Sequence, residues 1–171
     1  MVDIHGTAER LVRMYKTRDP FELLDALRVV TRFTQRFDAR GLKGFCTVVN
    51  RSRYVVINGK LEESEQRVVA SHEAGHIVLH GKELRVGALR DLDIFRAVGK
   101  EEREANCFGA NLLIPDEEVL DLMGSAGANF FSVARQLYVP PEFLSFKLYS
   151  LVERGYKLRM PMEPDNRFMA R

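Results

Sequence analysis

The sequence predicts an α+β fold, in which a small antiparallel-rich sheet packs on a helical core and a helical part follows at the C-terminal end. Three observations support this prediction. Short β-branched segments cluster between residues 29 and 57, helical periodicity dominates from residue 62 onward, and 46% of the 171 residues are hydrophobic. That length and composition fit one compact domain with a core of its own.

The first sixty residues predict two helices and three strands. A helix over residues 5–16 is followed by one that begins at Asp19-Pro20-Phe21-Glu22. There an aspartate cap, a first-turn proline and a glutamate three residues after the cap are typical of a helix start. Three short segments predict strands, the last two joined as a hairpin: Val29–Phe33, Phe45–Val49 and Tyr54–Ile57.

Helices dominate the rest of the chain. The predicted helices span about residues 62–80, 101–114, 116–123, 130–137 and 141–154. Asp116 is expected to cap the third of these. Residues 82–100, between the first two, form a polar loop long enough to be functional.

Composition and charge exclude several classes of protein. Two cysteines are too few for a disulfide framework, and no apolar run approaches the roughly 20 residues that span a bilayer. The N-terminus lacks the features of a secretion signal, so we expect a cytoplasmic protein with no membrane partner. Residues 1–60 carry 12 Lys and Arg against 6 Asp and Glu, without the block of like charges that marks a nucleic-acid tail.

The segment His72-Glu73-Ala74-Gly75-His76 carries the chemistry. Histidines four residues apart lie on one helix face, about 6 Å apart along the axis, so two imidazoles can bind one ion. The glutamate directly after the first histidine projects beside the metal, where it can accept a proton from a metal-bound water. This pattern predicts a catalytic Zn²⁺ site with His72 and His76 as ligands and Glu73 as the general base.

A catalytic zinc site also needs a third protein ligand and an open fourth position. His80 continues the four-residue spacing, but it lies about 12 Å from His72 along the helix axis, too far for one tetrahedral ion to bind both. The remaining candidates are acidic residues on another element: Asp91, Asp93, Glu101, Glu102 and Glu104.

Helical periodicity narrows this set. It favours Glu101, Glu104 or both, which share a face with Phe108 on the apolar stripe, and it is expected to point Glu102 elsewhere. A carboxylate at Glu104 would be buried beside Ala105 and Phe108, which is costly unless it meets a cation.

Several strings together resemble one known family. In chain order they are Asp19-Pro20-Phe21-Glu22, Leu42-Lys43-Gly44-Phe45, Ile57-Asn58, Gln66-Arg67, the segment from His72 to His80, and the segment from Glu104 to Pro115. Over about residues 8–150 the chain resembles the ImmA/IrrE-type metallopeptidases of bacteria and their mobile elements. It departs from their pattern at Arg28, where a glycine commonly ends the second helix, and at Gly109, where alanine is usual.

The resemblance implies a gluzincin-like site with His72, His76 and Glu104 on zinc and Glu73 as base. It also implies a substrate class, because such enzymes cleave or inactivate transcriptional repressors and so release silenced genes of a mobile element or stress response. The expected partner is therefore a protein substrate, a helix-turn-helix repressor encoded nearby. The alternative is a non-enzymatic zinc-binding regulator that binds a transcription factor or DNA, with zinc as a structural ion.

The predicted organisation is a zinc metallopeptidase domain over residues 1–123, a helix-turn-helix-like appendage over 124–155 and a tail over 156–171. Residues 133–144 resemble the helix-turn-helix-like part of the same family. Few cations lie near it, so we expect direct nucleic-acid binding to be absent. The candidates for stabilising the oxyanion are Tyr138, Tyr149, Tyr156 and His80.

The loop over residues 82–100 has two interpretations. It contains more apolar residues than a solvated connector needs, among them Leu84, Val86, Leu89, Leu92, Ile94 and Phe95. They either border the zinc and contact an extended substrate, or complete the core.

Overall fold

The fold is described over residues 2–38, 41–81, 84, 99–125 and 127–158 of a computed structural model. Within these residues the chain forms seven helices and three strands, which confirms the α+β fold. In order they are α1 (Ile4–Tyr15), α2 (Pro20–Ala26), β1 (Val29–Thr34), β2 (Gly44–Val49), β3 (Ser52–Asn58), α3 (Glu63–Leu79), α4 (Lys100–Leu113), α5 (Asp116–Gly124), α6 (Phe130–Gln136) and α7 (Pro141–Glu153). Over the same residues no helix has the length and apolarity needed to cross a membrane.

The three strands form one mixed sheet in the order β1-β3-β2. β2 and β3 pair antiparallel, with Cys46 opposite Val55, which confirms the predicted hairpin. β1 pairs parallel with β3 instead, with Thr31 opposite Val55. Alternation of apolar and polar residues is the same for both pairing directions, so the sequence could not distinguish them.

Side-chain caps fix the starts of three helices. Asp3 accepts from the Gly6 amide at α1, Asp19 accepts from two amides at α2, and Asn129 forms a reciprocal capping box with Ser132 at α6. The prediction that Asp116 caps α5 is wrong, because Pro115 occupies the cap position without a side-chain hydrogen bond.

The carboxylate of Asp116 is used in a buried charge network instead. It accepts hydrogen bonds from Lys147 and from two nitrogens of Arg154. Lys147 is fully buried, and its Nζ also donates to Asn111 Oδ1 at 3.0 Å. Burial lowers the pKa of Lys147 to about 8, although the carboxylate of Asp116 opposes that shift. The network joins α4, α5 and α7.

The helix α7 is surrounded by protein on nearly every side. Eight of its thirteen residues are buried, among them Phe143, Phe146 and Lys147. It packs against α4, which carries part of the site described below. Over the described residues, most of the surface of α7 is therefore covered by other helices.

The helices α3 and α4 approach each other closely through small residues. A Cβ added at Gly75 would lie 2.9 Å from the Cα and carbonyl oxygen of Ala105. One added at Gly109 would lie 2.8 Å from Ser71 Oγ and 3.1 Å from the His72 amide nitrogen. The family pattern usually has alanine at position 109. In this chain α3 lies so close to α4 that there is little room for an alanine Cβ, which explains the glycine.

Two predicted segments fall largely outside the described residues. Of the loop over residues 82–100, only Leu84 and residues 99 and 100 are described, and Leu84 packs against the core. Asp91 and Asp93, proposed as possible ligands, and Ile94 and Phe95 lie outside the description, as does the tail beyond Leu158.

Candidate metal centre

The two histidines of α3 converge on one point. Their ring centroids lie 4.7 Å apart, and the Nε2 atoms of His72 and His76 are separated by 3.1 Å. His72 is only 3% exposed because α3 runs through the middle of the protein, with residues 68–75 all buried. The predicted pair of metal-binding nitrogens is thus formed by the four-residue spacing on one helix.

Glu102, from the first turn of α4, completes a group of three. Its Oε2 lies 3.3 Å from His72 Nε2, and its Oε1 lies 3.2 Å from His76 Nε2. Burial opposes ionisation of Glu102, but hydrogen bonds from both histidines outweigh it and hold the pKa of the carboxyl well below its usual range. The expectation that Glu102 points elsewhere is wrong.

Glu104 lies away from the histidine pair. Its Oε2 is 3.6 Å from His80 Nε2, and its Oε1 is 3.6 Å from the Nζ of Lys100. The structure therefore favours Glu102 over the predicted Glu104 as the third ligand. Glu101, the other favoured candidate, is exposed at the start of α4.

The reason for this difference is the face of α4 that meets α3. The large apolar stripe through Phe108 predicted a different inward face. The contact instead uses Ala105 and Gly109, whose small size allows the backbones to come close. Glu102 precedes these residues by one and two helical turns, so it shares their face and reaches the histidines.

Asn106 orients the first histidine and was not predicted. It is fully buried, and its Oδ1 lies 2.8 Å from His72 Nδ1. Because a carbonyl oxygen only accepts, Nδ1 of His72 carries the proton, and in the neutral ring Nε2 then has a lone pair that faces the cluster. Asn106 follows Glu102 by four residues, so both lie on one face of α4. That spacing is the sequence signal that could have identified Glu102 as a ligand and Asn106 as its neighbour.

The spacing of the two histidines and Glu102 fits a tetrahedral ion. Zinc bound at about 2.0–2.1 Å in tetrahedral geometry separates its ligand atoms by about 3.3 Å. The two histidine nitrogens are 3.1 Å apart, and each lies close to a different oxygen of Glu102, at 3.2 Å from Oε1 for His76 and at 3.3 Å from Oε2 for His72. Two imidazoles and one carboxylate are also a donor set typical of catalytic zinc, which leaves a fourth position for water or substrate.

Comparison with known proteins places the chain in a family. The model of Peptidase_M78, described as the IrrE N-terminal-like domain, matches residues 26–149. The chain belongs to the Peptidase_M78 family. It is also 34% identical over 114 residues to the uncharacterized immunity region protein 2 of Bacillus phage phi105, an alignment that covers 66% of this chain and 69% of the phage protein.

In this Peptidase_M78 chain, Glu73 is close to the cluster. It is only 5% exposed. Burial lowers the pKa of His76, but the hydrogen bond that His76 donates to Glu102 and nearby negative charges, led by that of Glu73, raise it overall. The neighbouring strand β2 approaches it at Gly44, where an added Cβ would lie 3.7 Å from Glu73 Oε1. That Cβ would also lie 2.5 Å from a methyl group of Val69, so a glycine is needed for β2 to lie this close to α3.

The four residues predicted as candidates for stabilising the oxyanion differ in their surroundings. The ring of His80 is 5.7 Å from that of His76, and its Nε2 is buried without a hydrogen-bond partner among the described residues. Tyr149 is held by Glu153 and stacks against Arg103. Tyr138 and Tyr156 are 74% and 41% exposed. His80 is thus the candidate that the structure places next to a ligand.

Proposed function

We propose that this chain is a zinc-dependent endopeptidase that hydrolyses a peptide bond of a protein substrate. The observation that carries the proposal is the group of His72, His76 and Glu102, whose ligand atoms all lie within 4.8 Å of one another, with Glu73 buried beside it. Membership of the Peptidase_M78 family supports the same chemistry.

The proposed roles follow from the positions of the side chains. His72, His76 and Glu102 would hold zinc, which when bound lowers the pKa of a water molecule and polarises a carbonyl. Glu73 would accept a proton from the attacking water molecule. Its carboxylate is buried beside the cluster, so few other water molecules would compete for hydrogen bonds to it. Asn106 keeps His72 in the tautomer that leaves Nε2 free.

The substrate would bind as an extended segment along β2. This strand is at one edge of the sheet among the described residues, and Gly44 brings it next to Glu73. An extended peptide that pairs with such an edge places its backbone carbonyls at a fixed distance from the site. Pairing through the backbone selects an unfolded or flexible stretch of a protein.

The proposed substrate is a transcriptional repressor of a mobile element. Support comes from the resemblance to metallopeptidases that cleave or inactivate repressors, and from the similarity to a phage protein whose name assigns it to an immunity region. The burial of α7 also supports a protein rather than DNA as the target of this chain.

The test is incubation of the zinc-loaded protein with the repressor encoded beside its gene, followed by mass spectrometry of the fragments. The wild type is expected to produce two fragments from one cleavage site. Glu73→Gln should retain zinc but cleave at least about 10²-fold more slowly, because an amide cannot accept the proton. Glu63→Gln, the same change on an exposed residue of α3, is the matched control and should cleave at the wild-type rate.

Two results would count against the proposal. If the repressor stays intact with the wild type, the substrate assignment fails. If Glu73→Gln cleaves as fast as the control, Glu73 is not the base.

A further inference from the structure

The segment that contains the three strands has an excess of positive charge. Residues 28–60, which contain all three strands, carry eight Lys and Arg and a single acidic residue, Asp38. Some of these cations have structural partners: Lys43 lies 3.6 Å from Glu65, Lys60 donates to a carbonyl, and Arg53 donates to the Leu27 carbonyl. Among the described residues, the side chains of Arg28, Arg32, Arg36 and Arg51 have no hydrogen-bond or ion-pair partner.

The exposed arginines follow β1. Arg28, Arg32 and Arg36 are all exposed, and no described residue forms an ion pair with any of them. Arg32 lies within β1, and Arg28 and Arg36 flank its two ends. Because alternate residues of a strand share a face, Arg32 lies on the same face of β1 as Val30.

β1 is an edge strand with an exposed side chain on each of its two faces. Within the described part of the chain it pairs only with β3, and β2 lies beyond β3 next to Glu73. The paired residues Val55 and Ile57 are fully buried, so Thr31 and Phe33 share the core-facing side, yet Phe33 at the end of β1 is 54% exposed. The free edge thus shows an arginine and a phenylalanine at successive positions, on opposite sides.

The outer side of the sheet is apolar beside Arg32. Val56 is opposite Arg32 in the register, and Phe45 is opposite Val56. These two residues and Val30 are only partly buried, and none of them belongs to the hydrophobic core formed by the described residues. The ring of Phe37 covers part of Phe45, and the two ring centroids lie 6.2 Å apart.

We propose that the free edge of β1 binds an extended acidic polypeptide segment that adds a fourth strand to the sheet. Its backbone would pair with β1, its carboxylates would lie beside Arg32 and the flanking arginines, and its apolar side chains would cover Phe33. The aliphatic surface at Val30 and Val56 favours a polypeptide over nucleic acid. Apolar side chains of a polypeptide can cover that surface, whereas the phosphates of a nucleic acid would leave it in contact with water. This site is separated from the metal centre by two strands and does not depend on peptidase activity.

The probe is a fluorescein-labelled peptide of alternating Glu and Val, about eight residues long, titrated by fluorescence anisotropy. Its matched counterpart has Lys in place of Glu, and a labelled oligonucleotide of similar length is the third probe. The full-length zinc-loaded protein is used, as wild type and as Glu73→Gln. The acidic peptide is expected to bind both proteins equally, the Lys peptide to bind neither, and hydrogen exchange of the β1 amides to slow only with the acidic peptide.

Two charge reversals locate the binding. Arg32→Glu is expected to weaken binding of the acidic peptide at least about tenfold, and Arg32→Gln should have a smaller effect. Arg10→Glu, the same reversal at an exposed residue of α1, is the control and should bind as the wild type does. A thermal melt of each variant establishes that the sheet is intact.

Several results would overturn the proposal. They are tighter binding of the oligonucleotide than of the acidic peptide, equal binding of the Lys peptide, and equal affinities of Arg32→Glu and Arg10→Glu. Absence of binding of the acidic peptide to the wild type would also overturn it, and the arginines would then serve only to prevent edge-to-edge association.

Discussion

Replacing Gly75 by alanine tests whether the close approach of α3 and α4 builds the metal centre. The added Cβ would lie 2.9 Å from two backbone atoms of Ala105, whereas ordinary contact begins at 3.4 Å. The helices must therefore separate by about 0.5 Å, since backbone atoms cannot rotate away as a side chain can. A shift of that size exceeds the tolerance of about 0.2 Å for metal–ligand distances.

Two opposing effects set the expected stability. Alanine in a helix is favoured over glycine by up to about 1 kcal/mol, and overpacking a tight contact costs about 1–3 kcal/mol. Gly124→Ala, in α5, is the control because an added Cβ there meets nothing within 4 Å. We expect Gly124→Ala to gain up to about 1 kcal/mol in free energy of unfolding and Gly75→Ala to lie about 1–3 kcal/mol below it.

The assay is urea denaturation of both variants, together with zinc affinity measured by competition with a chelating dye. Displacement of Glu102 and Asn106 with α4 should weaken zinc binding by Gly75→Ala at least about tenfold, as expected for disturbed ligands and their hydrogen-bond partners. If Gly75→Ala is as stable as Gly124→Ala and binds zinc as the wild type does, the helices do not touch at this position and the reasoning is refuted.

Two further predictions concern single residues. Glu102→Gln should weaken zinc binding at least about 100-fold while Glu104→Gln leaves it nearly unchanged, measured by the same dye competition; the reverse order would restore Glu104 as the ligand. Arg28 has a left-handed backbone conformation with a φ of 56°, so Arg28→Gly should stabilise the protein by up to about 1 kcal/mol in urea denaturation. A loss of stability would indicate that the Arg28 side chain makes a contact that outweighs this strain.

Much of the fold could be predicted because its signals are local. Helix caps such as Asp19 act within three residues, and the β2–β3 hairpin is set by a short turn between two β-branched segments. The parallel pairing of β1 depends on contacts between distant parts of the chain. Asp116 was mistaken for a cap for the same reason: its partners, Lys147 and Arg154, lie more than thirty residues away.

The site was predictable only where one helix supplies it. The spacing of His72 and His76 places both nitrogens on one face without reference to the rest of the protein. The third ligand depends on which face of α4 meets α3, and large apolar residues suggested the wrong one. Small residues decide the contact instead, because Gly75 and Ala105 allow an approach that a bulky side chain would prevent.

The central claim is that one zinc ion is held by two residues of α3 and one of α4. The most direct measurement is a crystal structure of the zinc-loaded protein, with anomalous differences recorded on both sides of the zinc absorption edge. We predict a single strong peak at about 2.0–2.2 Å from His72 Nε2, His76 Nε2 and a carboxylate oxygen of Glu102, with Glu73 outside the first shell of ligands. A peak bound by His80 and Glu104, or one without Glu102 among its ligands, would contradict it.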